Sequence, residues 1–258
     1  MDVECTAHSV QNGKFHKTRV RDILDTWYED AKEEVYFFTD FDDDYLKSKL
    51  PKGHLIQTNC SEGHDRKSLC CKMAYELLFF TTMNARWSCH FDDDNYVNIN
   101  SLKGFLKTID ASTPFYIGKS STRQPLIVSS IDGDKIFIRF ATGGAGFCLS
   151  QRLLNSLRDS NMDLWFDALC EKYMLPDDVT IGHIITNLLH VPLTEVQEFH
   201  SHLENLNHLS AAEIRDQISF GGVTSLSNFL EVDLPQLNGS GPLRFHDLHV
   251  YLKTSNII

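Results

Sequence analysis

Two acidic triplets stand out by residue type and spacing, each directly behind an apolar run: Phe41-Asp42-Asp43-Asp44 and Phe91-Asp92-Asp93-Asp94. Three consecutive carboxylates repel one another unless solvent or a cation relieves them. Hard oxygen donors of this kind suit Mg²⁺ or Mn²⁺, which in turn can bridge to a diphosphate. At the carboxyl end of a strand in an open α/β sheet, such a cluster holds the usual ligand position. On local chemistry the two copies are nearly tied. The first runs into Tyr45-Leu46-Lys47-Ser48 and reads well as acids capping a helix, which tips the balance slightly to the second.

Phe199-His200-Ser201-His202-Leu203-Glu204 is the next group. In an extended backbone His200, His202 and Glu204 share one face, a wall for a metal ion. A zinc site and a hydrogen-bonded structural pair stay open, and among twelve histidines such a pair also arises by chance. Asp177-Asp178 behind Pro176 reads as a pair of helix-opening acids. Gly143-Gly144-Ala145-Gly146 lacks the spacing of a dinucleotide fingerprint or a phosphate loop. It is a tight turn, or a place where backbone amides approach a ligand closely. The chain has no GxSxG, HExxH or GxxxxGK[ST] motif.

The elements that must position these groups alternate between strand-like and helix-like stretches, so the expectation is one α/β layered domain over 1–258. Helical spacing of Val20, Ile23, Leu24, Trp27 and Ala31 predicts a helix over 18–31. A strand at 35–39 follows, then a helix over 65–80 with Leu69, Met73, Leu77 and Phe80 along one side. The run 87–91 is a strand that feeds the second triplet, Leu102, Phe105 and Leu106 suggest a short helix, and 115–118 and 135–140 read as strands. Ser150 can cap a helix carrying Leu153, Leu154 and Leu157. Pro176 opens another with Ile181, Ile184, Ile185 and Leu188 on its buried face. Beyond Phe199 the pattern weakens into strands and turns.

A net charge of −11 argues against a nucleic-acid partner, since phosphate backbones reward Lys and Arg. It leaves room for an anionic small ligand whose charge a metal ion offsets. The seven cysteines form no zinc-like CxxC pairs and suit disulfides in an oxidising compartment. The sequons Asn59-Cys60-Ser61 and Asn238-Gly239-Ser240 agree with that setting. No apolar run approaches the length of a bilayer span and the amino terminus is no signal peptide. Any membrane anchor is expected to lie in a segment absent from this chain.

Taken together these blocks resemble the Fringe family of glycosyltransferases. The resemblance rests above all on Trp87-Ser88-Cys89-His90-Phe91-Asp92-Asp93-Asp94-Asn95-Tyr96-Val97-Asn98 and Phe140-Ala141-Thr142-Gly143-Gly144-Ala145-Gly146-Phe147-Cys148. Lys14-Phe15-His16, Thr18-Arg19, Phe37-Phe38-Thr39-Asp40, Leu175-Pro176-Asp177-Asp178 and Phe199-His200-Ser201-His202-Leu203-Glu204 follow in the family's order. The resemblance implies a GT-A-type fold, a central mixed sheet flanked by helices. It implies an inverting β1,3-N-acetylglucosaminyltransferase that uses UDP-GlcNAc and Mn²⁺, with O-linked fucose on EGF-like repeats of Notch receptors or their ligands as acceptor, working in the Golgi lumen or secreted. By position it makes Asp94 and His202 metal ligands, Asp93 and Arg19 donor contacts, and Asp178 the catalytic base, with helix-end amides expected to keep Asp178 ionised at neutral pH. It pairs Cys60 with Cys71 and Cys89 with Cys148, leaving Cys5, Cys70 and Cys170 free.

The chain departs from the family in places. Val250 stands where a further cysteine would fall, residues 4–11 match poorly, Ser120 replaces a proline, and Gly221-Gly222 replaces a bulkier pair. Two alternatives stay open on sequence: a related β1,3-galactosyl- or glucosyltransferase, and a catalytically weak relative that only binds EGF-like glycoproteins.

Overall fold

The computed structural model describes residues 3–8, 15, 17–129, 133, 135–161, 164–239 and 241–254. Lys14, His16 and Ser240 lie outside the described residues, as does the side chain of Cys5. The first half carries β1 (Val3–His8), α1 (Arg19–Leu24), β2 (Val35–Thr39), α2 (Asp44–Lys49), β3 (Leu55–Gln57), α3 (Arg66–Thr82), β4 (Trp87–Asp92), β5 (Asn95–Val97), α4 (Ile99–Leu106) and β6 (Tyr116–Gly118). Then come β7 (Leu126–Ser129), β8 (Lys135–Ile138), β9 (Phe147–Ser150), α5 (Gln151–Asp159), α6 (Phe166–Tyr173), α7 (Asp177–His183) and β10 (Leu193–Glu195). The last stretch holds β11 (Ser219–Gly221), β12 (Val223–Thr224), β13 (Leu230–Val232), α8 (Pro235–Asn238), β14 (Leu243–Arg244) and α9 (Phe245–Thr254).

Seven strands form one mixed sheet in the order β10-β6-β9-β4-β1-β2-β3. All neighbours run parallel except β9, which is antiparallel to both β4 and β6. The poorly matching stretch at 4–11 therefore begins in a central strand, with His8 in register opposite Asp92. β4 is covered on both faces, and its sequence Trp-Ser-Cys-His-Phe-Asp is buried up to its last residue. Trp87, Cys89 and Phe91 point to one core, with Trp27, Phe199 and Phe220. Met73, Phe80, Tyr116, Phe147 and Leu149 fill the other face, beneath α3 and α5.

Several sequence expectations change in detail. The helix at 18–31 stops at Leu24 and resumes as a 3-10 turn, Trp27–Asp30. The Thr26 hydroxyl donates to the Asp22 carbonyl at 2.6 Å, competing with the helical ladder there. Strand 135–140 is real to Ile138 but, among the described residues, pairs only with β7, outside the main sheet. α7 widens into a π-helical turn, Ile184–Leu188. That turn rotates the apolar stripe, so Ile184 and Ile185 stay buried while Leu188 is 41% exposed.

Three disulfides are present among the described residues. Cys60–Cys71 and Cys89–Cys148 match the family pairing, the second joining directly opposed residues of β4 and β9. The third, Cys70–Cys170, corrects the expectation that both of these cysteines are free. Adjacent helical residues diverge by about 100°, so the α3 turn that aims Cys71 at Cys60 aims Cys70 away from it. In that direction α6 presents Cys170, and both sulfurs enter the core.

Candidate active site

A cavity of about 440 Å³ opens at the carboxyl end of β4. Its walls include Asp92, Asp93, Asp94, Arg19, His90, Gly143, Gly144 and Asp178. Only the second acidic triplet comes here. Asp43 instead caps α2, accepting from the Tyr45 and Leu46 amides at 2.8 and 3.1 Å, and Asp42 pairs with Lys47.

The triplet is held by the short turn into β5. The Asp92 amide donates to Asn95 Oδ1 at 2.9 Å, and Asn95 Nδ2 donates to the Gly144 carbonyl at 2.9 Å. Asn95 thereby ties the acids to the glycine turn. Gly143 is where the cavity's groups meet: a Cβ added there would lie 3.5 Å from His90 Nε2 and 3.7 Å from both Asp92 Oδ2 and Asp178 Cβ. Gly146, at φ +85°, has no room for a side chain, since a Cβ would fall 2.3 Å from the Phe91 ring. The glycine run is thus a close approach to the acid-bearing strand.

Arg19 faces the triplet. Its Nη1 lies 2.8 Å from Asp93 Oδ1 and 3.2 Å from Asp94 Oδ2, its Nε donates to Thr224 Oγ1 at 3.3 Å, and its guanidinium sits 4.4 Å above the Phe15 ring. Asp93 is almost fully buried. Burial first, and then Asp92 and Asp93, push the Asp94 carboxyl well above the usual carboxylate range; Arg19 offsets this only in part.

Asp178 stands in the first turn of α7, where its Oδ1 accepts from the Val179 amide at 2.7 Å and its Oδ2 from the Gly143 amide at 3.3 Å. Those two bonds favour the ionised form, as the helix position predicts. Burial outweighs them and, with Asp177 alongside, raises the carboxyl to about 7. The amides hold the carboxyl as expected, but the expectation that they keep it ionised at neutral pH is corrected: near pH 7 the group is poised between its two forms.

The histidine pair does not share a face. Residues 201–204 turn, the Glu204 amide donating to the Ser201 carbonyl at 3.2 Å, so the extended arrangement is lost. His200 is buried and meets Gln217 Oε1 at 2.8 Å and Glu204 Oε2 at 3.2 Å; Lys119 closes the group on Glu204. Burial alone would raise Glu204, but hydrogen bonds from His200 and Lys119 hold it down at about 2. His200 and Glu204 are therefore structural. His202 is exposed and faces the glycine turn, its Nδ1 being 3.6 Å from where a Gly144 Cβ would sit.

The departure at Gly221 has a steric reason. A Cβ there would fall 2.3 Å from the His202 amide nitrogen and 2.9 Å from the Gly144 carbonyl. Only glycine lets β11 pack this close beneath the His202 turn. The next residue, Gly222, donates its amide to the Asp94 carbonyl at 2.7 Å. Gly221-Gly222 therefore joins the His202 backbone to that of Asp94.

Two residues escaped the sequence reading. Glu76, fully buried on α3, meets His90 Nδ1 at 2.9 Å, and His90 Nε2 stands 3.5 Å from Asp92 Oδ1. Burial disfavours a charged imidazole, yet Glu76 and Asp92 together raise His90 well above the usual histidine value. The signal was a polar residue on each apolar surface: Glu76 shares the helix face of Met73, Leu77 and Phe80, and His90 interrupts an apolar strand.

Among the described residues, no three His, Cys, Asp or Glu side chains already cage a metal ion. The donor set still fits a divalent cation that shares its coordination with ligand oxygens: clustered carboxylates whose repulsion a cation relieves, with the His202 imidazole beside Gly144 of the cavity wall.

The family model described as Fringe-like matches residues 9–256. The Drosophila melanogaster Fringe glycosyltransferase is 43% identical over 92% of this chain and 59% of its own length. The Danio rerio and Homo sapiens proteins named beta-1,3-N-acetylglucosaminyltransferase lunatic fringe are 40% and 38% identical, over 93% of this chain and 65% and 64% of theirs. The chain thus spans roughly three-fifths of the relatives' length. Among solved structures, a glycosyltransferase involved in glycosylation of the major capsid of PBCV-1 aligns over 88% of this chain and 97% of its own, with TM-score 0.50 and 11% identity. That likeness concerns the fold, which is of the expected GT-A type.

Proposed function

The chain belongs to the Fringe-like family, and from that premise we propose that it transfers N-acetylglucosamine from UDP-GlcNAc to O-linked fucose on EGF-like repeats, such as those of Notch, with inversion and with Mn²⁺. The observation that carries the reading is the meeting of two unlike carboxylate sites in one cavity. The Asp92–Asp94 cluster suits a cation and diphosphate, and Asp178, on another element and raised to about 7 by burial and by Asp177 and Asp92, suits a base. Asp94 and His202 would hold the cation, and Arg19 and Asp93 would meet the donor. When bound, the cation offsets the negative charge of the departing diphosphate.

The chain's own groups account for the remaining chemistry. Asp178 accepts the proton of the fucose hydroxyl as that oxygen bonds to the anomeric carbon. The bond to the diphosphate breaks on the opposite face, and its electron pair leaves on UDP. A carboxyl near 7 is well matched to this work at neutral pH. The Gly143 and Val179 amides fix its orientation.

Three disulfides favour an oxidising compartment, and the Golgi lumen or the exterior is the proposed setting. No helix among the described residues is long and apolar enough to cross a membrane. The decisive experiment is a donor screen against an O-fucosylated EGF-like repeat, with mass analysis of the product. An added mass of one N-acetylhexosamine, dependent on Mn²⁺ and on UDP-GlcNAc, is expected. Transfer of a plain hexose, or none from any donor, would refute the proposal.

A further inference from the structure

Arg19 bonds the very carboxylates that a cation would need. One nitrogen, Nη1, spans Asp93 Oδ1 and Asp94 Oδ2, so the guanidinium is already a counter-ion to the triplet. It is also anchored independently of the acids, by Nε on Thr224 and by the Phe15 ring beneath it. Its hold on Asp94 can therefore be lost while the side chain stays at the rim. Thr224 lies in β12, two residues beyond Gly222, whose amide holds the Asp94 carbonyl. Anchor and acid are thus kept in register by the same short stretch of backbone.

We propose that Arg19 is an internal stand-in for the divalent cation. It occupies Asp94 when the cavity holds no nucleotide and gives that oxygen up when a diphosphate offers it another anionic partner. This rests on the metal site proposed above. Cation and Arg19 compete for Asp94, whereas diphosphate draws Arg19 away and supplies oxygens to the cation. Binding of Mn²⁺ and of UDP must then reinforce each other, and by linkage the enhancement is equal in both directions. The arrangement also answers an electrostatic need. Three adjacent acids and Asp178 line one cavity, and Arg19 offsets part of that negative charge. Thr224 and Phe15 are positioning residues for Arg19 and do not themselves meet the reacting atoms.

The test is Mn²⁺ binding by electron paramagnetic resonance or calorimetry, with and without UDP, on the parent chain, Arg19→Gln and Arg21→Gln. Arg21 is exposed, pairs with Asp25 and does not line the cavity, so it controls for the loss of one positive charge. In the parent chain UDP should tighten Mn²⁺ binding by about 5- to 150-fold, the usual range for coupled sites. In Arg19→Gln, Mn²⁺ alone should bind several-fold more tightly and the gain from UDP should shrink. Arg21→Gln should behave as the parent. The inference is overturned if Arg19→Gln leaves Mn²⁺ affinity unchanged, weakens it, or changes it no more than Arg21→Gln does. Loss of Mn²⁺ binding in Asp94→Asn shows that the site itself is correctly assigned. Mn²⁺ binding that survives Asp94→Asn, or is absent from every protein even with UDP, refutes the metal site and this inference with it.

Discussion

Replacing Asp178 by asparagine should cut transfer by orders of magnitude and, at neutral pH, make the fold more stable. The folded carboxyl titrates at about 7 against an ordinary value of 3.8. Taken whole, that difference of roughly three units corresponds to about 4 kcal/mol. Asp178 is only partly buried, so solvent screens the penalty to about 2–3 kcal/mol. Asparagine keeps one acceptor oxygen, so one of the Gly143 and Val179 amides loses its partner, at about 1 kcal/mol. The net gain is about 1–2 kcal/mol, or roughly 2–8 °C in Tm for a chain of this size. Its pH dependence has a definite sign. Below about pH 4 folded and unfolded carboxyls both hold the proton, and the gain vanishes. Between about pH 4 and 7 the folded group retains a proton that the unfolded chain has released, so the parent loses stability as pH rises, and above about 7 the full penalty applies. Scanning fluorimetry of both proteins at pH 4, 6 and 8 measures this, beside a transfer assay that should fall by about 10²–10⁴-fold. A Tm shift of the same size at every pH, or a loss of stability at pH 8, would refute the reasoning.

Asp94→Asn should remove Mn²⁺-dependent turnover, whereas Asp44→Asn should leave turnover near the parent's, because the first triplet caps α2 away from the cavity; equal losses at saturating Mn²⁺ would defeat the assignment. Gly221→Ala forces a backbone shift around His202, so a destabilisation of about 1–3 kcal/mol is expected together with weaker Mn²⁺ binding; unchanged Tm and affinity would show the turn can yield. For the parent enzyme, transfer should rise with pH to a plateau whose midpoint lies at or below about 7, since a bound cation pulls Asp178 downward. Asp177→Asn should move that midpoint lower still, and a pH-rate profile showing an upward shift would contradict the charge argument. Peptide mapping under non-reducing conditions should recover Cys70 joined to Cys170; a free thiol at either would overturn the third bridge.

Where periodicity was strong, the sequence was legible: β2 has the expected bounds, and α3 and β4 fall within two residues of theirs, with Ser150 capping α5 through the Leu153 amide as its position implies. β9 was hidden because four buried residues after a glycine turn read as the lead-in to that helix. α9 escaped because its histidines and its Asp247 blur the apolar stripe of Phe245, Leu248 and Leu252. At the site, chemistry-bearing letters were visible but their partners were not. Local chemistry separated the two triplets only slightly, through the capping reading of the first that Asp43 bears out, and the family resemblance decided between them before the sheet placed the second beside Gly143 and Asp178. His200 and His202 share a face only if the backbone is extended; a single turn parts them, and His200 joins a hydrogen-bonded structural group, the alternative reading. The raised carboxyl of Asp178 is a property of burial, which depends on what α7 packs against rather than on its neighbours in sequence.

The two bridges that leave consecutive residues of α3 impose an order on maturation. Cys60 is 11 residues from Cys71, whereas Cys170 follows Cys70 by 100. At about 5–20 residues per second, the ribosome delivers Cys170 roughly 5–20 s after its partner. During that interval Cys60 has two neighbouring thiols within reach and oxidation can join it to either. A bridge from Cys60 to Cys70 is reversible without any outside sulfur: the Cys71 thiolate attacks Cys60, a new bond forms as the old one breaks, and the Cys70 thiolate departs. Side-by-side cysteines therefore give the nascent helix its own means of proofreading. The correction becomes permanent only when α6 arrives and a disulfide-donating oxidant accepts two electrons as the Cys170 sulfur bonds to that of Cys70.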